Sequence, residues 1–345
     1  MQKIEVLIVG QGLAGSLLAL ELEKRGRKIH VVDNNPSTSS SKVAAGLYNP
    51  ITGRKMTKTW MADELFPNLG NYYEALEKRL HASFHERKKL YRLFNNMEEQ
   101  NDWSLRTVEI GYDAFIKGTQ NVSAGILKLN DHLGGFYPNF SGVVDVKLLV
   151  EKCKEYLVSQ GLYTQQQVPM SEWDFQENQL NMGSIQAEQV IFCEGPRMVE
   201  NPLWTEVKHN LVKGEILDVK CSLPSNQIFS KGIFIIPKQG YFRVGSTYDW
   251  NDQIPEPTAK GKRELLSRLG KLYLDEVEII NHQSGIRPAS FDRRPFVGFH
   301  NKFKNVGIFN GFGSKGVSLI PYFANQMADH ICFGKKLPDE VNPNR

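Results

Sequence analysis

Cysteine is scarce: Cys153, Cys193, Cys221 and Cys332 are the only four in 345 residues. None form a C-x-x-C pair and no histidine cluster has zinc spacing, so neither a disulfide framework nor a metal site is expected. The four read as small buried apolar residues of a reducing compartment. Long apolar runs are also missing, and no stretch reaches the roughly 20 residues that span a bilayer. The opening run Ile4 to Val9 contains Glu5 and leads into a glycine loop rather than a small-residue cleavage site, which argues against a secretory signal. Nor is there an excess of one charge: 42 basic residues face 38 acidic ones, for a net +4. Nucleic acid is therefore not an expected partner. These absences lead us to expect a cytoplasmic enzyme that holds no metal and does not touch a membrane. They leave the oligomeric state open.

What is present is ordinary globular composition, 41% hydrophobic and 23% charged. The length exceeds what one core usually supports, so two lobes are expected. Residues 4–9 form a short apolar run suited to a strand buried on both faces. A glycine loop follows, then a helix through Leu17, Leu18, Leu20 and Leu22 that stops near Gly26. Ile29 to Val32 read as a second strand closed by Asp33. A helical pattern through Leu65, Leu69, Tyr72, Tyr73 and Leu76 comes later, and residues 84–141 read as strand. Asp145 is a plausible N-cap for a helix stopped by Gly161. Residues 211–248 are β-rich, a helix is expected near 259–272, and a last helix runs to Phe333.

Gly10-Gln11-Gly12-Leu13-Ala14-Gly15 fits G-x-G-x-x-G between a strand and a helix, with an acid ending the next strand. Gly10 permits the tight turn, Gly12 lets the backbone approach a pyrophosphate, and Gly15 lets helix and strand pack closely. The pyrophosphate then rests on free N–H groups at the positive end of the helix dipole. Asp33, 18 positions after Gly15, is placed to accept hydrogen bonds from the adenosine ribose. This unit does not by itself distinguish FAD from NAD.

Two later motifs carry chemistry. Arg287 stands in Gly285-Ile286-Arg287-Pro288, and a guanidinium is the natural fork for a carboxylate. It could equally satisfy a carbonyl or an acid such as Asp292. Gly311 to Gly316 is a second glycine loop opening a helix near Val317. Lys315 within it either adds positive charge beside a reduced cofactor ring or is a solvated loop lysine. Asn49, Thr52, Arg54 and Lys58 either line a substrate cleft or belong to a surface connector. Trp60 reads as core.

Taken together, Gly10–Gly15, Asp33, Ser41–Gly46, Val190–Gly195, Gly285–Gly298 and Gly311–Pro321 resemble the D-amino-acid oxidase and glycine oxidase superfamily. The resemblance implies an α/β architecture: a Rossmann-like FAD-binding domain from residues 1–82, 142–206 and 281–345. A discontinuous antiparallel β-rich substrate domain comes from 83–141 and 207–280. It implies noncovalent FAD held by Gly10, Gly12, Leu13, Ala14, Gly15, Asp33 and Asn34. Ser41, Lys42, Ala45, Gly46, Val168 and Gly195 are its further contacts, with Gly311, Gly313, Ser314, Lys315, Gly316 and Val317 at the ring end. Arg287 corresponds to the arginine that holds the substrate carboxylate, and Arg287 and Lys315 are the candidate catalytic residues. Asp33 departs from the family's usual glutamate. Gly313-Ser314-Lys315-Gly316 and Gly245-Ser246-Thr247-Tyr248 are closer to the oxidase domain of the bifunctional enzyme that modifies the tRNA wobble uridine. The methyltransferase half of that enzyme is not in this sequence.

The implied reaction is oxidation of the C–N bond of a small amino acid or secondary amine bearing a carboxylate, with hydride passing to flavin N5 and oxygen as the final acceptor. Two rivals stand beside it: oxidation of a 2-hydroxy acid, which needs a base, and a flavin-binding redox protein without turnover. No histidine among the eight, His209, His282 and His300 included, stands in a motif that nominates it as that base.

Overall fold

The computed structural model describes residues 2–36, 38–116, 128–167, 169–170, 173–176 and 179–345. Strand β1 (Gln2–Val9), helix α1 (Leu13–Lys24) and strand β2 (Ile29–Asp33) open the chain as the expected βαβ unit. β1 lies between β2 and the strand Ile185–Phe192, parallel to both. The parallel ladder continues to Tyr163–Gln165 beyond β2 and to Val306–Asn310 beyond Ile185–Phe192. Leu7, Ile8, Val31, Val190 and Ile191 are almost wholly buried, as strands covered on both faces require. Because consecutive strands leave β1 in opposite directions, a crevice opens at its carboxyl end, beside Val9.

Four helices cover one face of this sheet: α1, Ala62–Leu80, Val146–Ser159 and Gly316–Phe333. Leu17 and Leu18 of α1 join Leu69, Tyr73, Leu149 and Phe323 in one core. Each such side chain contributes about 1.5–3 kcal/mol by leaving water. Asp145 caps its helix as expected, accepting from the Leu148 amide at 3.1 Å.

The second sheet has strand order Glu278–Arg287, Val212–Lys220, Tyr241–Gly245, Phe234–Lys238, Gln227–Ser230, Lys89–Leu93 and Gly135–Phe136. Every pairing in it is antiparallel except that of Gln227–Ser230 with Lys89–Leu93. Its back face packs Leu217, Val219, Phe229 and Ile235 against Leu265 and Leu269 of the helix Ala259–Leu269. On its front face Leu90, Ile228 and Ile236 meet Val143, Ala45 and Leu47, which come from the cofactor-side segments. Two details differ from the sequence reading. A helix, Met97–Arg106, interrupts the stretch read as strand, and Asn96 caps it by accepting from Glu99 N. The strand Glu278–Arg287 runs across the expected boundary at 281 and pairs along its length with the antiparallel sheet.

Candidate functional site

The crevice beyond β1 is lined by Gly10, Gly12, Asp33, Asn34, Ser41, Lys42, Glu194 and Gly195. Gly10 has φ +100°, and a Cβ there would sit 2.5 Å from the Cys193 carbonyl oxygen. A Cβ on Gly15 would come within 1.9 Å of the Gly10 carbonyl oxygen, so this glycine lets α1 close on the turn. Gly12 is the N-cap of α1 and offers no side chain to its amides. Among the described residues the Ser41 hydroxyl alone approaches them, accepting from Leu13 N at 3.1 Å. A helix start left open in this way, at the positive end of a dipole, suits a diphosphate.

Asp33 accepts from Gln11 N at 3.1 Å and Asn35 N at 2.6 Å, which fixes its carboxylate at the crevice wall. Each carboxylate oxygen keeps a further lone pair for a ribose hydroxyl. Lys42 spends its ammonium on Asn35 Oδ1 and the Pro36 carbonyl, bracing the loop. Gly46, with φ +80°, leaves no room for a side chain: a Cβ would lie 1.8 Å from the Val144 carbonyl oxygen. Its part is close packing, whereas Ala45 packs toward the front face of the antiparallel sheet. Gly195 is tied to the far side of the site, because Asn310 Nδ2 donates to its carbonyl at 2.9 Å. Val168 lies outside the described residues.

The two C-terminal motifs meet. Gly313 N donates to the Pro288 carbonyl at 2.8 Å, and Ala289 bridges to Phe312. Gly311, at φ +79°, fits against the Phe296 ring. Ser314 is exposed and Val317 buried at the turn into the last helix. A Cβ on Gly316 would meet Leu13 Cδ2 at 3.9 Å, so the starts of α1 and of the last helix are neighbours.

Arg287 lies at the end of an edge strand, half-buried, with Nη2 donating to Ser246 Oγ at 2.7 Å and Nη1 to the Thr247 carbonyl at 3.3 Å. Its guanidinium carbon is 4.3 Å from the Tyr248 ring centroid and rests on the backbone of Gly214. Among the described residues no carboxylate pairs with it. Asp292, the alternative acid, is bound to Arg345 instead at 2.8 Å, and that guanidinium holds its carboxyl down to about 2. Burial pushes the Arg287 guanidinium down from its ordinary value.

The Lys315 ammonium likewise has no hydrogen-bond or ion-pair partner among the described residues. Low-polarity surroundings, then the charge of Arg92, push its ammonium down to about 8. Arg92 escaped the sequence reading. It alternates with Tyr91 and Leu93, which face the back core, so it shares the front face with Leu90. Its guanidinium donates to the Ile51 and Gly53 carbonyls. A charged residue alternating with buried apolar ones was the signal available.

Asn49 Oδ1 is buried with no hydrogen-bond partner among the described residues. Lys58 instead points outward to Asp63 and the Gly111 carbonyl. Trp60 stacks on Phe323 at the edge of the core. The histidines are engaged elsewhere: His282 Nε2 meets Glu215 at 2.7 Å behind the sheet, and His209 Nδ1 meets the Val207 carbonyl. His300 Nδ1 accepts from the Lys302 and Phe303 amides.

An open helix start, an acid at the second strand and a cationic face on the second sheet define a dinucleotide-dependent enzyme. The chain belongs to the family described as FAD dependent oxidoreductase, whose model matches residues 5–330. Its cofactor is FAD, and the glycine-lined crevice, with the open start of α1 and the Asp33 carboxylate at its wall, fits that group. The chain is 23% identical over 367 residues to the bifunctional protein ThiO/ThiG of Synechocystis, covering 97% of this chain and 52% of that protein. It thus spans about half the length of that relative. It is also 23% identical over 355 residues to the glycine oxidase of Pseudomonas aeruginosa, covering 94% of this chain and 93% of that one. The crystal structure of glycine oxidase from Geobacillus kaustophilus shares the fold, with TM-score 0.82 and 21% identity over all of this chain and 99% of that chain. Among the described residues no helix is long and apolar enough to cross a membrane.

Proposed function

We propose that the protein oxidises the C–N bond of an amino acid or secondary amine that carries a carboxylate. The observation that carries this reading is Arg287: a half-buried guanidinium on the sheet face, without an acidic partner among the described residues, beside the Gly311–Gly316 loop. Gly10 to Gly15 and the start of α1 hold the diphosphate, Asp33 the ribose, and Gly311 to Val317 the ring end. When bound, FAD supplies the two-electron acceptor, with oxygen as its final oxidant. Arg287 fixes the substrate carboxylate by two parallel charge-assisted hydrogen bonds and so orients the carbon that loses hydrogen. Ser246 and Thr247 hold that guanidinium in place. Lys315 keeps a positive charge where negative charge builds on the ring.

The hydroxy-acid alternative needs a base, and His209, His282 and His300 are each bonded elsewhere. The test is anaerobic mixing of the flavoprotein with amines and with 2-hydroxy acids. Bleaching of the flavin by carboxylate-bearing amines is expected. Bleaching by hydroxy acids alone would overturn the reading.

A further inference from the structure

The segment after Gly245 does more than hold Arg287. It is pinned on its inner side: Lys213 N donates to the Asp249 carbonyl at 2.8 Å and Asp249 N returns a bond at 3.0 Å. The Lys213 ammonium, 1% exposed, reaches Asp252 at 2.6 Å. Glu215 N donates to Thr247 Oγ1 at 2.8 Å. Asp249 Oδ1 accepts from Asn251 N and Asp252 N, closing the turn on itself. A loop so anchored is a shelf with a fixed shape.

On that shelf two large rings stand in water. Tyr248 is 47% exposed and Trp250 52% exposed, in a chain whose other tryptophans are buried (Trp103, Trp173 and Trp204) or half-buried (Trp60). Their centroids are 6.2 Å apart at 33°, too close to admit a third ring between them but suited to a shared outer surface. Tyr248 already carries the Arg287 guanidinium on one side. A carboxylate paired with Arg287 therefore delivers whatever is attached to it beside these rings. Arg287 spends two of its five donors on Ser246 and Thr247, which leaves three N–H groups for that carboxylate.

We infer that the substrate bears a planar aromatic or heteroaromatic substituent beyond its carboxylate, and that this group stacks on Tyr248 and Trp250. The inference rests on the carboxylate reading of Arg287. A substrate as small as glycine leaves both rings uncovered, whereas a planar group removes them from water and gains stacking energy.

The experiment titrates the FAD-loaded protein with acetate, cyclohexylacetate and phenylacetate, read by flavin absorbance and tryptophan fluorescence. Phenylacetate is expected to bind more tightly than cyclohexylacetate, although the latter is no less apolar. Trp250→Ala is expected to cut the preference for phenylacetate over acetate by roughly three- to tenfold. FAD content and unfolding temperature serve as controls, and an exposed side chain is a mild site for truncation. Equal binding of phenylacetate and cyclohexylacetate, or an unchanged phenylacetate-to-acetate ratio in Trp250→Ala, overturns the stacking platform while leaving the clamp. If even acetate leaves the flavin unperturbed, the clamp itself falls and the platform with it.

Discussion

The amide of Gly313 donates to the carbonyl of Pro288 at 2.8 Å, so the loop that starts the last helix is fastened to the residue after Arg287. In the proposed function, the segments assigned to the cofactor's ring end and to the substrate's carboxylate thus share one backbone joint. A Cβ on Gly313 would also press on Ala289 at 3.2 Å. Displacement of either segment displaces the other, which is how orientation is held across two sheets.

Arg287→Ala separates binding from folding. The guanidinium sits over Gly214 and has no acidic partner to strand, so truncation leaves no unpaired carboxylate among the described residues. Affinity for acetate, read by flavin absorbance, is expected to fall by about tenfold to a hundredfold, the value of a charge-assisted pair. FAD content is expected to hold. Loss of FAD with acetate affinity intact would remove the clamp.

Asp33→Ala should act on the opposite end. It deletes the acceptor for Gln11 N and Asn35 N as well as the proposed ribose contact. FAD affinity, followed by flavin fluorescence on dilution, is expected to drop by about tenfold or more. Asp33→Asn keeps an acceptor and is expected to fall between. Unchanged flavin retention in both variants would refute the ribose assignment.

The βαβ unit was legible because its signals are local: apolar runs, glycines at fixed offsets and an acid at a strand end. Gly10, Gly12, Asp33 and Ser41 accordingly all line the crevice. Arg287 and Lys315 were legible as motifs, but their lack of acidic partners was not, since that depends on Asp292 choosing Arg345 across the fold. Arg92 and the Tyr248–Trp250 pair were missed because strand-face parity and exposure are tertiary facts. The helix Met97–Arg106 was hidden by its mixed polarity, its burial being confined to Glu99 and Trp103.

Lys315 predicts a pH dependence of stability in the FAD-free protein. Its ammonium releases a proton at about 8 in the folded chain, against 10.5 for an ordinary lysine. Between those values the unfolded chain holds more protons, so folding grows more favourable as pH rises through that window. Denaturant unfolding of parent and Lys315→Met at pH 8 to 10 checks this. The parent is expected to gain on the variant as pH rises, because the variant never carries the charge. Parallel curves would show that Lys315 titrates as a solvated lysine.

The start of the last helix carries a defect that a neighbouring helix repairs. Pro321 lies inside Gly316–Phe333 and has no N–H, so the Val317 carbonyl lacks its donor four residues on. Tyr73, wholly buried on the helix Ala62–Leu80, supplies that donor: its hydroxyl gives a 2.6 Å hydrogen bond to Val317 O. Tyr73→Phe therefore leaves a buried carbonyl unsatisfied and is expected to cost about 1–3 kcal/mol in denaturant unfolding. Pro321→Ala provides the missing N–H from within the helix. Placed in the Tyr73→Phe background it is expected to restore part of the loss, a coupling that independent sites would not show. Because Val317 opens the helix beside the Gly311–Gly316 loop, Tyr73→Phe is also expected to loosen FAD, and Pro321→Ala to tighten it again. Additive stability losses in the double variant would show that the hydroxyl and the proline do not serve the same carbonyl.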